Sequence, residues 1–254
     1  MGALRWIAAA DSQQGLRHNN EDFFLLDPVN GLFLLADGMG GHQAGEVASA
    51  MAAKEIQRAW THLSDLPVPA NPEKDRGEIA RTLFATNTAI REAAAIDGQA
   101  KMGTTVVLLG RMGQRWFVAN LGDSEIWLIR RGKVQPLLRV HTMASELVRQ
   151  KAMSPKDAAH SPLRHRLYRY LGTSDLNTVA DLNEDVKPFQ PVAGDCLLLG
   201  SDGLVDHIRK EQVVEILDRG ADLETTARQL TQLAIQQGSP DNTTGVLIRF
   251  FQGP

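Results

Sequence analysis

Short apolar runs bounded by turn residues recur along the chain, as in LFLLA at 32–36, VVLL at 106–109, WFVA at 116–119 and LLL at 197–199. Runs of this length between turn signals read as strands, and strands apolar on both alternating faces are covered on both sides. The pattern predicts strands over 4–10, 23–26, 32–36, 104–109, 115–121, 125–129, 134–138, 178–182, 196–200 and 244–250, with a polar loop over 11–20. Helical spacing appears over 44–60 through Val47, Met51, Ile56 and Ala59, and over 78–95 through Ile79, Leu83, Ile90 and Ala94. It returns over 142–160, with a break at Ser154-Pro155, over 163–171, 210–218 and 223–237. A proline-bearing surface loop is expected over 66–72, and Asp97-Gly98 reads as a helix stop.

The four strands between 104 and 138 are joined by a few residues each, too few for a parallel crossover. They are expected to be antiparallel neighbours in a meander covered by helices, which is α+β rather than a doubly wound nucleotide fold. No repeat, low-complexity tract or long linker divides the chain, so residues 1–254 are expected to form one domain.

Several apolar runs deliver an acid to their end. Residues 34–36 lead to Asp37-Gly38, 117–121 to Gly122-Asp123, and 197–201 to Asp202-Gly203. Asp241 stands just before the last strand, and Glu21-Asp22 just before the second. One Asp-Gly is an ordinary turn. Several acids at strand ends suit hard divalent ions held by carboxylates, carbonyls and water. Paired ions suggest in-line phosphoryl chemistry. Arg17, four residues before Glu21, is a solvated loop charge on its sequence context alone, or a guanidinium able to hold two phosphate oxygens.

Composition narrows the alternatives. A net charge of −3 does not suit a nucleic-acid protein, and no apolar run is long enough to span a membrane. The single cysteine, Cys196, precludes an internal disulfide, and a cytoplasmic address fits. Cys196 has Asp202 six positions on, not the arginine of a cysteine phosphatase, and reads as core. There is neither a Gly-x-Ser-x-Gly elbow nor a Gly-Lys-Ser/Thr phosphate loop.

Seven motifs in order resemble the metal-dependent protein serine/threonine phosphatases of type 2C, in their compact bacterial form. They are GLRHNNED at 15–22, ADGMGGH at 36–42 with Gly45, MGTT at 102–105, ANLGDS at 119–124, Leu171-Gly172, GSDGL at 200–204 and DNTT at 241–244. The resemblance implies a four-layer αββα sandwich, with two central antiparallel sheets flanked by helices. It implies two Mn²⁺ or Mg²⁺ ions at one end, and a third in relatives. Asp37 would bridge the pair. Asp202 and Asp241 would complete one site. The Gly38 carbonyl would bind the second ion, with Asp22, and Glu21 beside it, holding that ion's waters. Asp123 with Asp202 would hold the third. Arg17 would bind phosphate, and a metal-bridging hydroxide would attack phosphorus without a phosphoenzyme. His42 is the candidate for protonating the leaving alkoxide or touching substrate, the alternative being a plain loop residue.

The resemblance breaks at 140–142, where Val-His-Thr replaces the family's Asp-His-Ser. His141 is expected to cap the next helix or line the cleft edge. Residues 141–171 correspond to the flap of bacterial relatives, and their basic run, 164–169, reads slightly better as a solvated helix face than as an attractor of phosphoprotein. The expected activity is hydrolysis of phosphoserine and phosphothreonine on proteins, opposing a Ser/Thr kinase, by a monomeric chain. The alternatives are a non-catalytic phosphoprotein-binding relative and a phosphoesterase for small phosphate esters.

Overall fold

Alternation along each strand decides which layer a side chain enters, because successive residues point to opposite faces. The computed structural model describes residues 3–40, 43–65, 71–96 and 102–253. Its strands are β1 (Leu4–Gln13), β2 (Asp22–Asp27), β3 (Leu32–Met39), β4 (Gly103–Thr104), β5 (Val106–Met112), β6 (Arg115–Leu121), β7 (Glu125–Arg130), β8 (Lys133–Pro136), β9 (Val186–Phe189), β10 (Cys196–Gly200) and β11 (Thr243–Gln252). Its α-helices are α1 (Gln43–Asp65), α2 (Pro72–Ile96), α3 (Met143–Arg149), α4 (Pro155–His160), α5 (Asp202–Val205), α6 (Lys210–Asp218) and α7 (Leu223–Gln236).

Two antiparallel sheets form the centre. One runs β1-β11-β10-β7-β8, and the other β2-β3-β5-β6-β9, with β4 continuing the β5 side of the ladder to β3. Three apolar layers result. Leu32, Leu34 and Ala36 of β3 pack against α1 and α2 with Ile56, Trp60 and Leu83. Phe33 and Leu35 enter the layer between the sheets, meeting Leu197, Leu199, Val246 and Ile248. Leu198 and Leu247 face the third layer with Leu204, Ala227 and Leu230 from the helices beyond. The architecture is therefore αββα. No described helix is long and apolar enough to cross a membrane.

The meander is corrected in one respect. β5 pairs with β6 and β7 with β8, but β6 and β7 lie in different sheets. Residues 122–124 carry the chain across the ~10 Å gap between facing sheets, a short joint that needs no pairing. Gly122 turns there at φ 118°, and a Cβ on it would sit 2.5 Å from Thr105 Cγ2.

Other boundaries also move. β1 continues through Gln13, in register with β11 as far as Thr243, so the expected loop begins later. α2 begins at Pro72 rather than 78, with the Asn71 side chain accepting from the Glu73 amide at 3.0 Å. The predicted strand over 178–182 is a 3₁₀ turn, Val179–Leu182. Asp181 accepts from the amides of Asn177 and Thr178, and such local bonds compete with strand pairing. The strand that pairs with β6 is β9, and its Pro188 is tolerated because β9 is an edge. The helix expected over 163–171 is a short 3₁₀ turn, Pro162–His165, followed by irregular chain. Most of the 66–72 loop and the 97–98 helix stop lie outside the described residues.

Leu35 is fully buried between the sheets. Leu35→Ala is expected to cost about 2–5 kcal/mol in denaturant unfolding, as a large-to-small change in a packed layer. A cost near zero would contradict this packing.

Candidate active site

The layer between the sheets ends in polar side chains, and strand parity puts them there. Asp37 follows Phe33 and Leu35 at two-residue steps, and Asp22 precedes Phe24 and Leu26 in the same way. From the other sheet, Ser201 follows Leu197 and Leu199, while Thr244 precedes Val246 and Ile248. Asp22 and Asp37 are direct cross-strand partners. Like charges in that relation destabilise a sheet.

Each acid is held by its backbone. The Asp37 amide donates to Thr105 Oγ1 at 3.0 Å, and its carbonyl accepts from the Thr105 amide at 2.8 Å. Thr105 thus replaces a regular ladder step between β4 and β5. Its hydroxyl also lies 2.8 Å from Ser124 Oγ, which links the Asp37 strand to the turn carrying Asp123. Asp202 opens α5, and Gly203 beside it lets the following loop close in: a Cβ on Gly203 would lie 2.1 Å from the Asn242 carbonyl. That approach sets Asp241 near Asp202. Asn242 then staples the loop bearing Arg17. Its Nδ2 donates to the carbonyls of Gln14 (2.8 Å) and Asn19 (2.9 Å), and its Oδ1 accepts from the Glu21 amide (2.9 Å).

The acids share a cavity of about 670 Å³, which Arg17, Glu21, Asp37, Gly38, Asp123, Asp202 and Asp241 all line. Asp22 does not line it; the residue is half-buried, but both of its carboxylate oxygens are buried and neither has a hydrogen-bond partner of regular geometry. Burial, opposed by the nearby Thr244 and Ser201 hydroxyls and reinforced by Asp202 and Asp241, pushes its carboxyl up to about 7. Asp123 is pushed up to about 7 by burial and then by Asp202. Asp37 is raised well above its ordinary value by burial and by Asp22, Asp202, Asp123 and Asp241. Asp202 is raised by burial and Asp241. Arg17 Nη2 donates to Asp241 Oδ2 at 2.5 Å, and more than half of its side chain is exposed.

Among the described residues, no three carboxylate, imidazole or thiolate groups already close on one point at ligand spacing. The donor set nevertheless fits hard divalent cations: it is all oxygen, crowded, and short of positive charge, with Asp22 left unpaired. Thus Asp37, Gly38, Asp123, Asp202, Asp241 and Glu21 come to one cavity, with Asp22 across the strand pair from Asp37. His42 lies outside the described residues.

The flap expectations need correction. Thr142, not His141, caps α3, accepting from the Ser145 amide, and His141 is buried away from this cavity. The basic run is no plain solvated face: His165 and Arg166 line the cavity, Arg164 pairs with Asp206, and Arg169 with Asp185. Sequence reasoning also missed the supporting roles of Thr105 and Asn242. Both stand inside recognised motifs, which was the available signal.

A family model described as protein phosphatase 2C matches residues 12–236. The chain is similar to the serine/threonine phosphatase stp of Listeria innocua, 32% identical over 237 residues, covering 92% of this chain and 91% of that protein. Among solved structures it is similar to the S. agalactiae serine/threonine phosphatase, with TM-score 0.84 at 27% identity, covering 96% and 99% of the two chains. It is also similar to the catalytic domain of PstP in complex with two manganese ions, with TM-score 0.80 at 30% identity, covering 98% and 100%.

The crowded acids give the metal-free protein a distinctive pH response. The folded state keeps protons on Asp22 and Asp123 up to about 7, whereas an unfolded chain releases them near 3.8. These groups therefore lower stability progressively as pH rises between those values. In chelator, Asp22→Asn should gain thermal stability over the wild type as pH rises from about 5 to about 7.5. A difference independent of pH would contradict the assignment.

Proposed function

The chain belongs to the protein phosphatase 2C family, and from that premise we propose that it hydrolyses phosphoserine and phosphothreonine on proteins. The observation that carries this reading is the crowding of half-buried carboxylates at one end of the sheet sandwich, beside an exposed arginine. Asp37, Asp202, Asp241 and the Gly38 carbonyl would hold two Mn²⁺ or Mg²⁺ ions, as PstP holds two manganese ions. Asp22 and Glu21 would orient the surrounding waters, and Asp123 with Asp202 would hold a weaker third ion. The ions would supply an activated water and neutralise phosphate charge.

The chain's own residues do the rest. Arg17 keeps free guanidinium donors while one nitrogen engages Asp241, so it can present its fork to phosphate oxygens. Its loop is fixed through Asn242, which sets the distance between the guanidinium and the acids. Thr105 fixes Asp37 through its amide rather than its carboxylate, leaving both carboxylate oxygens for ions. A cavity lined by the acids together with the exposed His165 and Arg166 suits a phosphorylated side chain on a protein surface. His42 would serve as general acid or substrate contact. The biological setting we propose is a cytoplasmic, monomeric enzyme that reverses a Ser/Thr kinase, by analogy with the family.

Phosphate release from a phosphothreonine peptide should require Mn²⁺, and Asp202→Asn should reduce it at least about a hundredfold. Metal-dependent turnover of small phosphate esters without any phosphopeptide turnover would replace the protein substrate. No turnover of either by folded, metal-loaded protein would replace catalysis with phosphoprotein binding.

A further inference from the structure

Residues 142–167 form a segment between β8 and β9, flanked by His141 on one side and Tyr168-Arg169 on the other. The two stems are joined by a Thr142–Leu167 bridge, by the Met143 amide on the Arg166 carbonyl (2.7 Å), and by the Tyr168 amide on the His141 carbonyl (3.0 Å). The His141 ring meets the Tyr168 ring edge to face at 5.6 Å.

Both stems also converge on one acid. Asp185 Oδ1 lies 3.1 Å from His141 Nε2, at an angle outside regular hydrogen-bond geometry. Asp185 Oδ2 accepts from Arg169 Nη1 at 2.5 Å. Arg169 reaches on to the Asp181 carbonyl at 2.7 Å. The Asp185 and His141 side chains are each 1% exposed. Asp185 is itself anchored, because its carbonyl accepts from the Asn120 amide of β6 at 3.1 Å.

The other edge of His141 meets the turn at Gly122. His141 Nδ1 accepts from the Gly122 amide at 3.3 Å, while the His141 amide donates to the Gly122 carbonyl at 2.8 Å. An Nδ1 that accepts leaves the ring proton of a neutral imidazole on Nε2, facing Asp185. The next residue after Gly122 is Asp123, which lines the cavity.

We propose that Asp185 is a positioning residue: its one carboxylate fastens both stems of the 142–167 segment and, through His141, sets the turn that carries Asp123. The segment's placement over the cavity and the placement of an acid within it then depend on one buried group. Only the kinetic arm of the test rests on the phosphatase reading; the exchange arm needs no activity.

The test is amide hydrogen exchange, followed by NMR on the full metal-free chain, for wild type, Asp185→Asn and Asp195→Asn. Asp195 is a matched control, since it too is a buried acid held by an arginine, Arg130, at 2.7 Å. In Asp185→Asn the Tyr168 and Gly122 amides should exchange about tenfold faster or more, relative to Leu198 in β10. In Asp195→Asn that ratio should be unchanged. With metal restored, Asp185→Asn should raise KM for a phosphothreonine peptide about fivefold and lower kcat by a smaller factor, because the segment loses the hold on both stems while the turn of Asp123 keeps Ser124 on Thr105 and the Gly122 carbonyl on the His141 amide. Exchange at Tyr168 and Gly122 no faster than in Asp195→Asn, or unchanged KM and kcat, would overturn the proposal. Should Asp185→Asn fail to fold, Arg169→Gln loosens the same stem from its more exposed side. It should accelerate Tyr168 exchange, and no acceleration there would overturn the proposal equally.

Discussion

Mutual repulsion among crowded, half-buried carboxylates is the constraint on which the rest of the structure turns. Asp22 and Asp37 face each other across a strand pair, and Asp123 and Asp202 add charge at the same end. A protein interior does not tolerate such a group unless something cationic or a proton answers it. Arg17 pairs directly with Asp241, at the mouth, and lies within electrostatic reach of Asp202 and Glu21. The remaining deficit is the physical reason for reading the site as a place for divalent ions, and protons take that role when ions are absent.

The sandwich is what allows the acids to be brought together. An apolar layer between two sheets has an end, and residues one alternation step beyond its last leucines must emerge there. Small residues then let loops close over that end. Gly203 admits the loop carrying Asp241, and Gly122 lets the chain pass from one sheet to the other beside Thr105. Hydroxyl and amide side chains set the spacing: Thr105 holds Asp37 and touches Ser124, and Asn242 holds the loop of Arg17. None of these supports carries charge, so the site's electrostatics are left to the acids and to what they bind.

Much of this was readable in the chain. An apolar run ending in Asp-Gly already implied an acid at a strand end, and repetition of that pattern implied a cluster. What periodicity did not reveal was partnership. Residues 122–124 form a joint as short as a hairpin, yet they change sheets, because a gap between packed sheets is as easily spanned as a turn. The 178–182 stretch has strand-like residues, but Asp181 captures two amides and curls it. Arg169 looked like a solvated charge because its partner, Asp185, is sixteen residues away and buried. Side chains that act by holding backbone, such as Thr105 and Asn242, leave no periodic trace, and only the motifs around them point to their importance.

The central claim is that the acids at the end of the inter-sheet layer form one site for paired divalent ions. Calorimetric titration of the metal-free protein with Mn²⁺, beside Asp37→Asn, tests it most directly, since Asp37 is the acid on which the others converge. Two ions per wild-type chain are expected, and loss of both when Asp37 is changed. Absence of saturable Mn²⁺ binding by the folded wild type, or unchanged binding by Asp37→Asn, would contradict it.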